Sequence, residues 1–436
     1  MKITPLHPWI AERIGASTGN LDRSLIEKYQ LQKINLLLKN LREQSPFYRE
    51  LLALFPANLY HLAELSNLPF TTAKDLCLNP NRFTCVKQDE IMRIVTLPTS
   101  GTTGESKRLF FTMDDLELTM DFFKVGMSTL ARPGDRIMIL LPGLRPDSLG
   151  DLLKRALVRL GCLPILYGPL GDEERVFQVI IENEINVIVG SPVHLLRLAR
   201  LDDADWVLPK NQIQKVLTST DTLPDAIRSA LQCIWGCEVF DHWGMTETGL
   251  GGGVECEAHA GFHLREADLL VEIIDPETGT VMPNGEKGEV VITTLTRTGM
   301  PLLRYRTGDL SRLIPGDCAC GSCVQRLDRI TQRLDSGLQL SSGLLTQNHL
   351  DETLFQCAEV LDFSAACQIE NKVNNLVLTI RTLHGNVNPD VLISRLAQDP
   401  LIHTALESEN LKIQVTLTPS INPLAPGTLQ KRKISY

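Results

Sequence analysis

Between Thr99 and Lys107 the chain reads TSGTTGESK, a run of hydroxyl side chains and glycines closed by a lysine. Backbone N–H groups and hydroxyls in such a loop can hold phosphate oxygens, and a nearby cation can balance their charge. Taken alone, a Gly- and Thr-rich stretch is more often a plain connection between strands. Four further patches share its logic. DHWGMTETGL (241–250) sets an aromatic before Gly, Thr and Glu, offering a surface for a purine, a hydroxyl for a phosphate and a carboxylate for Mg²⁺. YRTGDL (305–310) delivers Asp309 from a glycine turn, where a carboxylate can accept both hydroxyls of a ribose. RITQRLDSG (329–337) carries Arg333 and Asp335 where the texture of the chain changes, as a hinge would. The C-terminal PGTLQKRKISY is basic, with Lys431 and Lys433 two residues apart.

A second chemistry is written in cysteine and histidine. DCACGSCV supplies Cys318, Cys320 and Cys323, and ECEAHAGFH supplies Cys256, His259 and His263. Thiolates with an imidazole form a closed tetrahedral zinc site. The C-x-C-x₂-C spacing is not that of a zinc-finger ladder, so ordinary reduced thiols in turns are the competing reading. The favoured ligands are Cys256, His263, Cys318 and Cys320, with His259 and Cys323 as substitutes. The expected role is structural, since four protein ligands leave no open position.

These patches need a scaffold, and the chain between them supplies one. Residues about 20–55 have apolar side chains at helical spacing, ended by Ser45-Pro46. From about 130 to 200, short apolar strands (135–143, 162–168, 185–192) alternate with amphipathic helices, and 213–244 continues the rhythm. That is βαβ organisation with a parallel sheet. Residues 264–313 change to strand and turn, a β-rich subdomain. After Arg333 the last hundred residues read as a small α+β unit, with strands near LVLTIR and LKIQVTL and a helix near 388–398. The expected division is therefore a domain at 1–333 and a lid at 334–436.

With 436 residues the chain is too long for one core. Its net charge of −9 argues against a general nucleic-acid or anionic-membrane surface. The N-terminus lacks the pattern of a signal peptide, and no apolar run approaches the ~20 residues of a membrane span. Eleven cysteines without an export signal suit a reducing compartment. The expectation is a cytoplasmic protein that binds neither nucleic acid nor membrane.

TSGTTGESK, WGMTE, YRTGDL, an Arg-x-Asp before the last domain and a lysine near the C-terminus stand in the order of the adenylate-forming superfamily. The chain resembles in particular its phenylacetate–CoA ligase branch, whose N-terminal signatures SPFYRELL (45–52) and LPFTTAKDL (68–76) match. The resemblance implies a large α/β domain with a parallel sheet and β-rich subdomain, and a small mobile α+β C-terminal domain. It also implies an enzyme that activates a carboxylic acid with ATP to an acyl-adenylate and passes the acyl group to CoA. An aryl or arylacetic acid is the default substrate. By the same resemblance Thr99, Ser100, Gly101, Thr102, Thr103, Gly104 and Lys107 grip the β- and γ-phosphates. Ser219 lies in a segment, 219–221, that falls where many relatives have a small glycine-rich turn lining the acyl and adenine pockets, and Asp241, His242, Trp243, Gly244 and Met245 approach the nucleotide, with Trp243 stacking near adenine where the family usually has Tyr. Thr246 touches the α-phosphate, Glu247 holds Mg²⁺, Asp309 binds the ribose assisted by Arg333, and Asp335 is the hinge. Lys431 bridges the substrate carboxylate and the α-phosphate, although Gln430 replaces the family's usual Gly, and Lys433 is the neighbouring alternative. Some relatives also carry Cys and His at places similar to the zinc candidates. A different acceptor (a carrier protein or another small molecule) and a non-catalytic nucleotide-binding role are the rivals, and a homodimer is left open.

Overall fold

The computed structural model describes residues 1–98, 106–204, 207–370, 373–384, 387–418 and 432–436. They form two compact units, each assembled from separate stretches of chain.

The first unit contains Met1–Ala131, Arg155–Leu160 and His242–Ile330. Its helix Arg23–Gln44 starts on the side chain of Asp22, which accepts from the Leu25 N–H, and stops at Ser45. Ser45 then caps a second helix, Pro46–Leu51, with proline in the first turn where no N–H is needed. The predicted single helix over 20–55 is thus two helices, divided where Ser45-Pro46 said it should end. Sequence reading missed the helices Leu6–Ile14 and Met113–Met127. The second of these carries a capping box between Thr112 and Asp115. Strands Arg93–Pro98 and Ser106–Phe111 pair antiparallel, setting Leu97 opposite Lys107. The β-rich texture of 264–313 becomes three strands, Leu269–Ile274, Gly288–Thr294 and Tyr305–Ser311, paired antiparallel in chain order. A further sheet of short strands, His242–Trp243, Gly253–Val254, Phe262–Leu264, Arg326–Leu327 and Leu313–Ile314, brings segments distant in sequence side by side.

The second unit contains Arg132–Lys154, Gly161–Asp241 and Thr331–Tyr436. Its five-stranded sheet is parallel throughout, as the βαβ rhythm predicts, in the spatial order Leu163–Leu166, Arg136–Ile139, Val187–Gly190, Lys215–Thr218, Glu238–Phe240. The order reverses once, so the chain winds both ways from the Arg136–Ile139 strand. Sheets of this kind bind ligands at the carboxyl ends of their strands. The C-terminal part adds the antiparallel pair Val360–Glu370 and Val373–Thr382, with Leu411–Thr418 parallel to the second. Its helices are Gln347–Leu354, Pro389–Leu396 and Pro400–Glu407.

One hydrophobic core serves both layers of this unit. Ile188, Val216 and Leu231 from the parallel-sheet half belong to the same buried cluster as Leu350, Phe363 and Leu378 from the C-terminal half. Polar contacts reinforce the packing. Arg200, on the helix Pro192–Ala204, donates to the carbonyls of Val360 and Phe355. Glu173 pairs with both Arg197 and Arg381. Glu352 accepts from the backbone N–H groups of Asp225 and Ala226 at the start of the helix Asp225–Trp235.

Candidate active site and metal centre

In the first unit, Lys107 enters from the second strand of the hairpin whose connecting residues are the Thr- and Gly-rich stretch. Its Nζ lies 2.5 Å from Glu247 Oε1 and 3.3 Å from the Tyr305 hydroxyl. Tyr305 donates to the same carboxylate oxygen at 3.0 Å. Glu247 is only 1% exposed. Burial pushes its pKa up, but the Lys107 ammonium and the Tyr305 hydroxyl outweigh that and hold the carboxyl below its usual value. The site therefore keeps a buried, ionised carboxylate beside a cation.

Local structure fixes the glutamate. Thr246–Thr248 forms one 3₁₀ turn, stopped by Gly249 at φ 76°. Arg297 donates to the carbonyls of Glu247 (3.0 Å) and Thr246 (3.4 Å), while its guanidinium lies 4.3 Å from the centre of the Phe111 ring. Met245 donates its N–H to Thr248 Oγ1 at 3.1 Å. A side chain at Gly244 would meet the backbone of Leu250 and Gly251 at 2.9 Å, so only glycine lets the strand turn there. Trp243 and Asp309 also come together: the indole Nε1–H donates to Asp309 Oδ2 at 3.2 Å, and both residues are buried. His242 is kept neutral, because burial lowers its pKa to about 4.

The second unit holds the remaining candidates. Thr218 Oγ1 donates to Asp241 Oδ1 at 2.7 Å, and the Ser219 N–H donates to Gly190 O at 2.9 Å. Ser219 follows the Lys215–Thr218 strand at its carboxyl end, and Thr220 adopts φ 76°, a strained value for a β-branched residue. Arg333 Nε lies 3.3 Å from Asp335 Oδ1, with the aspartate half exposed. Such a surface pair contributes at most about 1 kcal/mol. Thr99, Ser100, Gly101, Thr102, Thr103, Gly104 and Lys431 lie outside the described residues.

The cysteine and histidine candidates also converge. The donor atoms of Cys256, His263, Cys318 and Cys320 all lie within 4.8 Å of one another, and all four residues are buried. Cys256 Sγ is 3.7 Å from Cys318 Sγ, and Cys320 Sγ is 3.6 Å from His263 Nε2. Zinc bonds of ~2.3 Å to sulfur and ~2.0 Å to nitrogen, at tetrahedral angles, separate ligands by roughly 3.5–3.8 Å. The donor set therefore fits such an ion. The backbone N–H groups of Ala258 and Cys320 donate to Cys256 Sγ and Cys318 Sγ, as they would to thiolates. Burial lowers the His263 pKa to about 4, which keeps its imidazole neutral as a ligand must be. The substitutes are engaged elsewhere. His259 Nδ1 faces Glu255 Oε2 at 3.1 Å, and Cys323 Sγ donates to Leu21 O at 3.3 Å.

Two residues that hold Glu247 carry no motif of their own: Tyr305 merely opens the stretch that ends in Asp309, and Arg297 stands in none.

The chain matches the family model described as AMP-binding enzyme over residues 56–296. It is 28% identical over 415 residues to a phenylacetate-coenzyme A ligase of Pseudomonas putida, covering 93% of this chain and 92% of that one. A phenylacetate-coenzyme A ligase of Aromatoleum evansii is 30% identical over 335 residues, 74% of each chain. Among solved structures, 2-hydroxyisobutyryl-CoA ligase in the postadenylation state superposes with a TM-score of 0.80 at 19% identity, over 95% of this chain and 90% of that one. The motifs, the fold and these matches agree: this chain belongs to the AMP-binding enzyme family, within the adenylate-forming superfamily and its phenylacetate–CoA ligase-like branch.

Proposed function

We propose that the chain is an AMP-forming acid–thiol ligase, which activates a carboxylic acid with ATP and transfers the acyl group to coenzyme A. The observation that carries this reading is the buried, ionised Glu247, held between Lys107 at the foot of the hydroxyl-rich hairpin and Tyr305 on the strand that also bears Asp309. In the first half-reaction a carboxylate oxygen bonds to the α-phosphorus and the bond to pyrophosphate breaks. In the second a thiolate bonds to the acyl carbon, and AMP leaves with the oxygen that had attacked. An anion approaching an anion needs neutralised charge and fixed alignment. Residues 99–104 and Lys107 would hold the β- and γ-phosphates, so Lys107 would exchange its contact with Glu247 for the nucleotide. Thr246 would meet the α-phosphate, Asp309 with Arg333 the ribose, and Lys431 the two reacting anions. Glu247 would hold Mg²⁺, which supplies positive charge among the phosphates.

Residues 334–436 would act as the lid, turning about Asp335 between the two half-reactions. The Cys256/His263/Cys318/Cys320 cluster would hold a structural zinc ion. An aryl or arylacetic acid is the substrate class we favour, because the relatives over most of the chain are phenylacetate-coenzyme A ligases. No helix of the described residues is long and apolar enough to cross a membrane, and the cytoplasm is our proposed location. Acid-dependent exchange of labelled pyrophosphate into ATP, followed by thioester detection after adding CoA, tests the reading. Exchange with an arylacetic acid and conversion to its CoA ester are expected. Absence of exchange across a panel of acids would overturn it, and exchange without CoA ester would transfer the chain to another acceptor.

A further inference from the structure

Arg297 stands where the two halves of the site meet. Its Nη1 donates to Glu247 O at 3.0 Å and its Nη2 to Thr246 O at 3.4 Å, so one planar fork holds two carbonyls of the Thr246–Thr248 turn. The same guanidinium lies over the Phe111 ring, 4.3 Å from its centre. Phe111 ends the strand Ser106–Phe111 and shares a face of it with Lys107, since alternate residues of a strand point the same way. One buried cation thus touches both the turn that carries Glu247 and the strand that carries Lys107.

The backbone beside Arg297 is tied to the Lys107 side as well. Asp115 Oδ1 accepts from the Thr298 N–H at 2.8 Å, and Asp115 Oδ2 from the N–H groups of Gly299 and Thr112, each at 3.0 Å. The hydroxyls of Thr112 and Thr298 meet at 2.8 Å. Thr112 directly follows the Lys107 strand, so the segment that begins at Arg297 moves with that strand. The exit of the turn is held separately, by Thr119 Oγ1 donating to Gly249 O at 3.0 Å. Loss of Arg297 should therefore loosen the Glu247 side of the turn without releasing all of it.

We infer that Arg297 is a positioning residue that fixes the spacing of Lys107 and Glu247, and with it the distance between the grip on the phosphates and the metal-holding carboxylate. The inference rests on the proposed roles of those two residues. Arg297 acts through two carbonyls and a ring, not on the reacting atoms. A lysine and a glutamate on separate elements hold a shared ligand only as well as those elements hold each other, and an ångström of misplacement can cost about a hundredfold.

The test reads binding as well as turnover in the full-length protein. Mn²⁺ serves as the probe in place of Mg²⁺, since both favour oxygen ligands. Its paramagnetic resonance signal gives the Kd of the Mn²⁺–ATP complex for the protein with no acid present. Arg297→Met should raise that Kd by about tenfold or more, the scale of losing hydrogen bonds from a charged donor. Arg297→Lys keeps the charge but not the fork and should recover part of the loss. Phe111→Leu removes the stacking and leaves both carbonyl bonds, and should raise the Kd by about two- to fivefold. The KM for ATP in pyrophosphate exchange should rise in the same order. CoA ester formation from supplied acyl-adenylate needs neither the leaving phosphates nor the metal among them, and should stay within about twofold in all three variants. An unchanged Kd in the Arg297 variants would overturn the inference. So would equal loss of both half-reactions, which would make Arg297 merely structural. If Arg297→Met does not fold, Arg297→Lys and Phe111→Leu decide the matter by the same readouts. Glu247→Gln separates the two readings. If it weakens Mn²⁺–ATP binding while the Arg297 variants do not, the positioning role alone fails; if it binds normally, the metal assignment of Glu247 fails and the inference with it.

Discussion

Replacing Tyr305 with phenylalanine isolates one hydroxyl in the proposed nucleotide site. The ring is 1% exposed, so phenylalanine keeps its packing and loses only the oxygen. That oxygen donates to Glu247 Oε1 at 3.0 Å and lies 3.3 Å from Lys107 Nζ. A hydrogen bond to a charged group is worth about 1.5–3 kcal/mol. Lys107 stays at 2.5 Å from the same oxygen and retains part of the stabilisation, so the lower end of that range, about 1.5 kcal/mol, is expected. The greater consequence is for orientation. A carboxylate held by two donors has one rotamer; held by a single ammonium that would, on the proposed function, also serve phosphate, it has several. Tyr305→Phe should therefore raise the Mg²⁺ concentration for half-maximal pyrophosphate exchange by several-fold, up to the tenfold that about 1.4 kcal/mol represents. Exchange at saturating Mg²⁺ should approach that of the parent. A Mg²⁺ titration of exchange, paired with urea unfolding, reads both effects. Unchanged Mg²⁺ dependence together with unchanged stability would refute the assignment of Glu247 as a carboxylate positioned by Tyr305.

Other outcomes follow from the same geometry. Purified protein should carry about one zinc per chain by metal analysis, and Cys318→Ser should lose it and melt at a lower temperature, since metal-binding free energy is folding free energy; a zinc-free protein whose melting is unaffected by the substitution would remove the metal centre. Lys107→Ala should raise the KM for ATP more than it lowers kcat, and an unaltered KM would separate this lysine from the phosphates. Burial, with the nearby Arg197 charge, lowers the His194 pKa from 6.5 to about 4. The unfolded chain then takes up the proton first as pH falls, so stability present above pH 6.5 is lost progressively towards pH 4. His194→Leu should remove that acid sensitivity, worth at most about 3 kcal/mol, and equal slopes of stability against pH for parent and variant would refute it.

Linear motifs carried much of the site because their chemistry is local. Lys107, Glu247 and Asp309 each stand inside a short stretch whose residue types could serve a phosphate, a cation or a sugar, and it is the order of those stretches along the chain that carries the resemblance. What joins them is not local. Tyr305 reaches Glu247 from 58 residues away, and nothing in either stretch states the pairing. Arg297 acts through two carbonyl oxygens, which leave no mark in sequence. The metal cluster is an intermediate case. Its residue types and the preference for His263 over His259 were legible in the sequence, and strand pairing supplies the physical reason for that preference. His263 sits in the strand Phe262–Leu264, paired on one side with Val254 and on the other with Arg326. That pairing draws Cys256, Cys318 and Cys320 towards it, whereas His259 turns to Glu255.

The fold divides in the same way. Alternating strands and helices over 130–244 implied a parallel sheet, because period and length are written residue by residue. Strand order was not legible, since every right-handed crossover looks alike in sequence. The separate texture of 334–436 was visible, while its shared core with the parallel sheet was not. Leu350, Phe363 and Leu378 are apolar whether they pack on their own sheet or on Ile188 and Val216.

The central claim is that a carboxylate oxygen attacks the α-phosphorus. It is tested most directly by supplying an arylacetic acid labelled with heavy oxygen in its carboxylate, together with ATP, Mg²⁺ and CoA, and weighing the products. One heavy oxygen should appear in AMP, one should stay in the acyl-CoA, and pyrophosphate should carry none. Heavy oxygen in inorganic phosphate or pyrophosphate, or unlabelled AMP formed alongside the CoA ester, would contradict the account.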